Sequence, residues 1–379
     1  MSGTFSMNDQ DVSEFSSEIE SKQARLGHLL AFSLPISAFV YLITGPHRWF
    51  IGIAFLGLPI ALGFADAYSS PDRRPPEPAR DGRFFDAVLY GLAAFQIVNV
   101  ALLPHMLRTV PLVSLESVLA ILIIGGASGY CGLVVAHELI HRRGRTDRWL
   151  GRILLGTSLF DHFHIEHIAV HHALVATSGD PDTARFEEGF WPYLWRSTTG
   201  QVRAAWQIEH KRLRSKGARS RVNMVLQNGV THGLLLYVLI GLYMWAVGGR
   251  TAVIVFIAQG LDAIILLQAV NYFEHYGLVR TGKKIRYIDS WDSDAWWSRH
   301  AMIGLSRHAD HHMESARPFQ RLEFSDASPR LPYGYLGMAF LAIFRNRLCR
   351  KLLARELRER RLGPFAVLET GPGAGGGLG

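Results

Sequence analysis

The sequence predicts an all-α polytopic membrane protein, with six transmembrane helices and a cytoplasmic histidine-rich helical cap. Three observations support this fold class. Of the 379 residues, 49% are hydrophobic and only 19% are charged, whereas about a quarter of the residues of a soluble domain carry charge. The mean hydropathy is positive, at +0.12. Several apolar runs reach the length of about 20 residues that a helix needs to cross a bilayer.

The apolar runs divide the chain into three parts. Residues 1–26 are predicted to form a polar N-terminal arm, residues 27–345 a six-span domain, and residues 346–379 a basic C-terminal segment with a disordered glycine-rich tail. We place the six spans at residues 27–45, 49–68, 84–104, 110–136, 222–247 and 251–272.

Loop charge predicts the orientation of these spans. Arginine and lysine are abundant between the second and third spans, in the segment 142–221 and at the C-terminus. Since such residues gather on the cytoplasmic side, we expect both termini and the long segments to face the cytoplasm of a bacterial-type inner membrane. The same bias explains the net charge of +8, and we expect no nucleic-acid partner.

Three short histidine boxes are the most informative motifs. A further histidine ends the sixth predicted span, and all four segments fall at the predicted cytoplasmic border. The nine histidines are His137 and His141 in the first box, His167, His171 and His172 in the second, His275 at the end of the sixth span, and His308, His311 and His312 in the third box.

Helical spacing predicts that these side chains bind metal. Residues four apart share a helical face, so His137 and His141 can reach one ion, as can His167 and His171, with His172 directed to a neighbouring site. The third box likewise places its histidines on one side. A single zinc takes at most four ligands, and nine candidates therefore indicate two metals. Imidazole suits iron, copper and zinc alike, so spacing does not choose between them.

Four stretches resemble a known family: HELIH followed by RR, IEHIAVHHALVATSGDPDTAR, NYFEHYGLVR and LSRHADHHMESARPFQRL. They resemble the membrane-bound non-haem diiron alkane monooxygenases (alkane hydroxylases), within the wider group of histidine-box hydroxylases and desaturases. The resemblance covers nearly all of residues 27–345. Similarity to xylene- and cymene-type methyl hydroxylases is weaker. Val170 stands where the family commonly has glycine, and Ile168 and Ala169 replace more polar residues; these changes bear on substrate range.

The resemblance implies a function. The nine histidines would hold two iron ions, and dioxygen would be the co-substrate for hydroxylating the terminal methyl group of medium- or long-chain alkanes or related hydrocarbons. It adds no catalytic side chain beyond the metal ligands. Because the two cysteines, Cys131 and Cys349, cannot hold an iron–sulfur centre, electrons would come from a separate rubredoxin or ferredoxin-type donor and its NAD(P)H-dependent reductase.

Carboxylates beside the histidines are candidates for a supporting role, because metal-bound histidines usually donate their second N–H to a carboxylate or carbonyl. Those adjoining a box in sequence are Glu138, Glu166, Glu274 and Asp310. Asp262 lies inside the sixth span, where a carboxylate is costly, and either supports the site or packs between helices. Asp161, Asp180 and Asp182 are expected either to support ligands or to cap helices, and His162 and His164 to be structural.

Four other readings fit parts of the pattern. An alkyl-aromatic methyl hydroxylase or a fatty-acyl desaturase would use the same diiron scaffold. A zinc protease would explain the HExxH motif of the first box but not the other boxes. A divalent-metal transporter would place its site near the membrane midplane, whereas the boxes lie at the cytoplasmic border.

Overall fold

Helices account for all regular elements in the computed structural model, which describes residues 25–76, 82–217 and 220–366. Within these ranges there is no β-strand, and extended pairing is confined to two isolated bridges. The all-α prediction is therefore confirmed. Most of the predicted N-terminal arm and the glycine-rich tail lie outside the described residues.

Among the described residues, five helices are long and apolar enough to cross a membrane: Arg25–Thr44, Trp49–Ala67, Gly82–Thr109, Leu115–His141 and Gly229–His275. The first four match the predicted spans closely. The fourth continues to His141, so the first histidine box forms its last turns. The fifth predicted span begins later than expected, because residues 222–226 belong to a separate short helix, Arg221–Leu226.

The 47-residue helix Gly229–His275 changes direction at Gly249, whose φ of 66° and ψ of −157° are non-helical. Gly233 packs against Asp161 and Gly260 against Leu159. A straight helix would separate the two glycines by about 40 Å at 1.5 Å per residue. Their contacts, Asp161 and Leu159, are nevertheless only two positions apart in the chain. The helix therefore folds back into two antiparallel segments, 229–248 and 250–275. This reversal supports the predicted number of six crossings.

A buried polar network fixes the fourth span next to its neighbours. The Gln96 amide donates to the Ser128 hydroxyl (2.9 Å) and to the Thr157 hydroxyl (3.0 Å), and Ser128 donates to Gln259 (2.8 Å). Polar groups at membrane depth need such internal partners. Ser128 begins a π-helical segment, Ser128–Leu133, which directly precedes the helix Val134–His141 with the first box.

Short helices form a cap on the side of the membrane where the fourth span and the 250–275 segment end. The α-helices outside the spans are Arg145–Thr157, Phe163–Glu166, His172–Leu174, Phe190–Ser215, Arg221–Leu226, Trp296–Ala301, His308–Met313, Tyr335–Phe344 and Asn346–Glu359. A π-helical segment, His167–His171, joins the second and third of these. Single 3₁₀ turns lie at Tyr287–Asp289, Phe319–Arg321 and Gly363–Phe365.

The cap is fastened to the spans by buried contacts. Asp66, near the end of the second span, accepts hydrogen bonds from the Ser298 hydroxyl (2.5 Å) and from the backbone N–H of Leu336 (2.8 Å). The Trp291 indole donates to the carbonyl of Tyr276 (3.0 Å). These contacts hold the third histidine box over the ends of the spans.

Candidate metal centre

The structure brings all nine predicted histidines together, in two adjacent clusters. Cluster A contains His137, His141, His167, His172 and His311, and cluster B contains His171, His275, His308 and His312. Within each cluster, one ring nitrogen from every histidine lies within 4.8 Å of those of the others. The clusters are neighbours, since the ring centroids of His172 and His312 are 4.5 Å apart.

The distances between ring nitrogens fit a shared ion. In cluster A, Nε2 of His172 lies 3.0 Å from that of His167 and 3.2 Å from that of His311. In cluster B, Nε2 of His308 lies 3.0 Å from those of His275 and His312. Imidazole nitrogens bound at about 2.0–2.1 Å to one ion are about 3 Å apart.

Unsatisfied nitrogens point to the same conclusion. Nε2 atoms of His137 and His141 are buried and make no hydrogen bond within the described residues. Buried polar atoms normally have partners, and a metal ion would supply the missing one. The donor set of neutral imidazoles suits iron, copper or zinc.

The local backbone explains how the second box divides between the clusters. Residues His167–His171 are π-helical, and a π-turn closes over five residues instead of four. His167 is therefore grouped with His172, and His171 turns towards cluster B. The expectation that His167 and His171 reach one ion, with His172 going to the neighbouring site, is wrong for this reason.

The third box also divides, on a regular α-helix, His308–Met313. His308 and His312, four residues apart, join cluster B, whereas His311 joins cluster A. The second and third boxes thus contribute to both clusters. The first box serves cluster A alone, and His275 serves cluster B alone.

Burial keeps the rings neutral. Burial, followed by the neighbouring imidazoles, holds the pKa of five histidines outside the spans well below the usual value: His167, His172, His308, His311 and His312. Neutral imidazole is the form that binds metal. The site is therefore prepared for a cation at neutral pH.

His171 differs because it has a carboxylate partner. Its Nδ1 lies 3.0 Å from Oδ2 of Asp180, and Asp180 is itself held by the Thr183 hydroxyl (2.7 Å) and the backbone N–H of Asp182 (3.0 Å). Burial alone would lower the pKa of His171, but Asp180, together with Asp182 and Glu274, outweighs burial and raises that pKa. Sequence reasoning left Asp180 undecided between this role and helix capping; the SGDPDTAR stretch was the available signal.

Asp182 extends this support into the long helix Phe190–Ser215. Its Oδ1 accepts hydrogen bonds from the Ser197 hydroxyl and the Gln201 amide, both at 2.6 Å. Glu166 is fully buried beside Asp182. Burial, together with Asp182 and Asp180, raises the pKa of Glu166 well above its usual value.

The other predicted carboxylates lie in different surroundings. Glu274 places Oε1 3.4 Å from Nδ1 of His308 and accepts a hydrogen bond from the Tyr335 hydroxyl (2.7 Å). Asp310 instead accepts hydrogen bonds from the Tyr287 hydroxyl (3.0 Å), Arg317 (2.9 Å) and the backbone of Glu323 (3.0 Å). Asp310 therefore fixes the loop around the third box. Sequence reasoning did not single out Tyr335 or Tyr287.

Two of the predicted carboxylates make no hydrogen bond to a cluster histidine within the described residues. Glu138 lies 3.4 Å from Arg142. Asp262 packs against Gly125, and it precedes His275 by 13 residues on one helical segment, or about 20 Å. Asp161 is paired with Arg152 (2.9 Å). His162 and His164 lie outside both clusters.

A small apolar cavity of about 10 Å³, room for about one water-sized molecule, borders cluster A. Its polar lining consists of His137, His311 and Glu138, and the remaining lining residues are Val134, Ile303, Leu305, Phe319 and Leu322. The cavity therefore places apolar side chains directly beside two of the histidines.

Membrane spans that end in clustered histidine boxes define the class of histidine-box membrane proteins. Comparison with known families refines this class. The fatty acid desaturase family matches residues 114–341, which is more than half of the chain, and the chain belongs to that family.

Similar individual proteins carry a more specific name. Alkane 1-monooxygenase 1 of Pseudomonas aeruginosa is 37% identical over 231 residues, which are 59% of this chain and 59% of that protein. Alkane 1-monooxygenase 2 of Alcanivorax borkumensis is 27% identical over 345 residues, 86% of this chain and 89% of that protein. Alkane 1-monooxygenase 1 of A. borkumensis is 30% identical over 315 residues, 81% and 76%. The chain thus spans three fifths of the first relative's length and most of the other two, and it groups with alkane 1-monooxygenases within the family.

Proposed function

We propose that this protein hydroxylates the terminal methyl group of medium- or long-chain alkanes, or related hydrocarbons, at two irons held by clusters A and B. The observation that carries the proposal is the division of nine histidines into adjacent groups of five and four, with an apolar cavity at the first group. The relatives named alkane 1-monooxygenase support the same reaction.

Two bound irons would supply the activation of dioxygen that attack on an unactivated C–H bond requires. The overall reaction consumes the hydrocarbon, dioxygen, two electrons and two protons, and forms an alcohol and water. The protein's own task is to hold the histidines, place the methyl group and exclude water.

The cavity residues perform the placing. A hydrocarbon offers no polar handle, so it is held by apolar contact, worth about 0.8 kcal/mol for each buried CH₂ group. Val134, Phe319 and Leu322 form apolar walls that lead to His137 and His311. Because the cavity is smaller than a hydrocarbon chain, we infer that these side chains move apart to admit the methyl group to the histidine end, with the chain extending away from it.

Electrons are proposed to come from a rubredoxin or ferredoxin-type donor that is reduced by an NAD(P)H-dependent enzyme. Both cysteines are buried, and neither lies beside a cluster histidine in the sequence. His141 and His172 are the cluster members that are partly exposed, so they mark the side on which a donor would approach. The exposed Arg143, two positions after His141, favours an acidic donor.

We propose a bacterial-type inner membrane as the location, with the clusters and both termini on the cytoplasmic side. The loop-charge bias supports this orientation. So does the donor, because its reductase draws on cytoplasmic NAD(P)H.

Metal content of the purified protein is the first test. We expect about two irons per chain, with a large loss in His171→Ala and in His311→Ala. His162→Ala is the matched control, since His162 is buried but belongs to neither cluster. One tightly held zinc and no iron would overturn the proposal and favour the zinc protease.

Product analysis with a reduced donor is the second test. A primary alcohol carrying an oxygen atom from labelled dioxygen is the expected product. Two alternatives have specific support: the family match is to fatty acid desaturases, and a hydroxylase component for xylene and toluene in Pseudomonas putida is 29% identical over 245 residues. An alkene product would establish the first, and exclusive attack on aryl methyl groups the second.

A further inference from the structure

The helix Phe190–Ser215, here called the tryptophan helix, has three different faces. One face is buried in the protein and consists of Phe190, Tyr193, Ser197, Gln201, Ala205, Glu209 and Leu213. This face contacts the 250–275 segment and the loop that holds Asp182. It accounts for how the helix is attached, but not for its other two faces.

The second face is apolar and exposed. Trp191, Trp195, Val202 and Trp206 are 52%, 76%, 41% and 40% exposed. At about 100° per residue these four positions fall within a stripe about 60° wide. Three exposed tryptophans in one stripe are unusual for a surface in water. Tryptophan is, however, enriched where a membrane meets water.

The third face is basic and adjoins the tryptophan stripe on the side away from the protein. Arg203, His210 and Arg214 fall within about 40° of one another on this face, and both arginines are exposed. As far as Trp206, the order around the helix is therefore protein contact, tryptophan stripe and basic face; in the last turns the buried side moves round to Glu209 and Leu213. This order is typical of a helix lying in a membrane interface.

Contacts at the two ends of the tryptophan helix fix its height. Near one end, the Tyr193 ring lies 5.2 Å from that of Tyr272, in the last turns of the 250–275 segment. Near the other end, Glu209 accepts a hydrogen bond (2.7 Å) from the backbone of Gly229, the first residue of the 229–248 segment. Both contacts lie where a span ends on the histidine side. The helix therefore crosses these ends along the membrane boundary.

We propose that the tryptophan helix lies in the headgroup region of the leaflet on the histidine side. The tryptophan stripe inserts among the lipids, and Arg203, His210 and Arg214 face the phosphates of anionic lipids. The occupant is the same bilayer that surrounds the spans, because the stripe continues an exposed apolar surface on neighbouring elements. That surface consists of Val222, Val225, Leu226, Leu234, Leu235 and Val238.

This position has a structural consequence for cluster B. Ser197 and Gln201, on the buried face, bond to Asp182, and the backbone of Asp182 bonds to Asp180, the partner of His171. Lipid contact on one face of the helix thus steadies the carboxylates behind a cluster histidine. The proposal rests on the membrane fold and does not depend on the reaction.

Spin-label depth measurement on the full chain in vesicles of phosphatidylcholine and phosphatidylglycerol tests the proposal. Nitroxide labels are attached to Trp206→Cys and, in a separate protein, to the adjacent Gln207→Cys. The buried native cysteines, Cys131 and Cys349, do not compete for the reagent. We expect the label at 206 to collide several-fold more with oxygen than with a water-soluble nickel chelate, and the label at 207 to show the reverse preference.

Trp195→Cys repeats the measurement at a second position in the stripe and should match the label at 206. Water-like collision rates at 195, 206 and 207 would overturn the proposal. Shielding of 206 that arises only after an iron–sulfur donor is added, or only at high protein-to-lipid ratio, would also overturn it, because the stripe would then bind a protein. Iron content and activity do not enter the measurement, so its failure leaves the proposed function untouched.

Discussion

Replacing Asp180 with asparagine should selectively weaken the metal site of cluster B. The substitution keeps the shape of the side chain but turns a charge-assisted hydrogen bond to Nδ1 of His171 (3.0 Å) into a neutral one. Asp180 is buried and already held by Thr183 and Asp182. Solvent screening therefore does not reduce the effect, and the bond costs little ordering entropy.

Two independent estimates give the size of this effect. Removing such a partner of a metal-bound histidine typically lowers metal affinity 10- to 100-fold, which is about 1.4–2.8 kcal/mol. A hydrogen bond to a charged group is worth about 1.5–3 kcal/mol. The two ranges agree, and we expect a 10- to 100-fold higher dissociation constant for one of the two ions.

Competition with a graded series of chelators measures the affinity of each ion. The wild type should lose its two ions over a narrow range of chelator strength, whereas Asp180→Asn should lose one ion early and keep the other. Asp147→Asn is the control, since Asp147 bonds to Tyr90 on an exposed surface. Equal weakening of both ions, or no change, would refute the assignment of Asp180 to cluster B.

Three further outcomes are expected. Phe319→Ala removes an apolar wall of the cavity and should shift the product profile towards longer or bulkier hydrocarbons in competition assays. The control Phe324→Ala should leave the profile unchanged. An unchanged profile in Phe319→Ala would place the substrate elsewhere. Asp72→Asn should lower the unfolding free energy by about 3 kcal/mol at pH 7. Burial raises the pKa of Asp72, but Arg74 and Arg299 lower it further, to below the usual value. The loss of unfolding free energy in Asp72→Asn, measured by thermal unfolding, should therefore persist above pH 4 and shrink as the pH falls below about 4. A loss that is the same at every pH would contradict this. Gly249→Ala should cost about 1–3 kcal/mol, because its backbone conformation is nearly confined to glycine, and Gly241→Ala, with open space around it, should cost less.

The membrane fold and the set of nine histidines were predictable, because hydropathy and repeated short spacings are local properties of a sequence. The pairing of histidines was not. It depends on a π-helical turn at His167–His171, for which the sequence carries no simple signal, and the α-helical rule therefore misassigned His171 and His172. The role of Asp180 was equally hidden, because an identical residue two positions later, Asp182, faces a different set of partners.

The short apolar helix Tyr335–Phe344 shows the same limit. Its composition resembles that of a span, but its 10 residues reach only about 15 Å. It packs instead against the second span and the 250–275 segment. Tyr335, its first residue, reaches Glu274 beside cluster B. A tertiary contact of this kind joins residues 61 positions apart, and no local sequence pattern predicts it.

The division of the boxes between two clusters also has a consequence for biosynthesis. Cluster A joins the end of the fourth span to His311, and cluster B is completed by His312, 175 positions after His137. Neither ion can acquire its full set of ligands until most of the chain has left the ribosome. The nascent protein must therefore insert its spans before the first two boxes have all their partner histidines, and a metal ion bound by either cluster would join segments that are distant in the sequence.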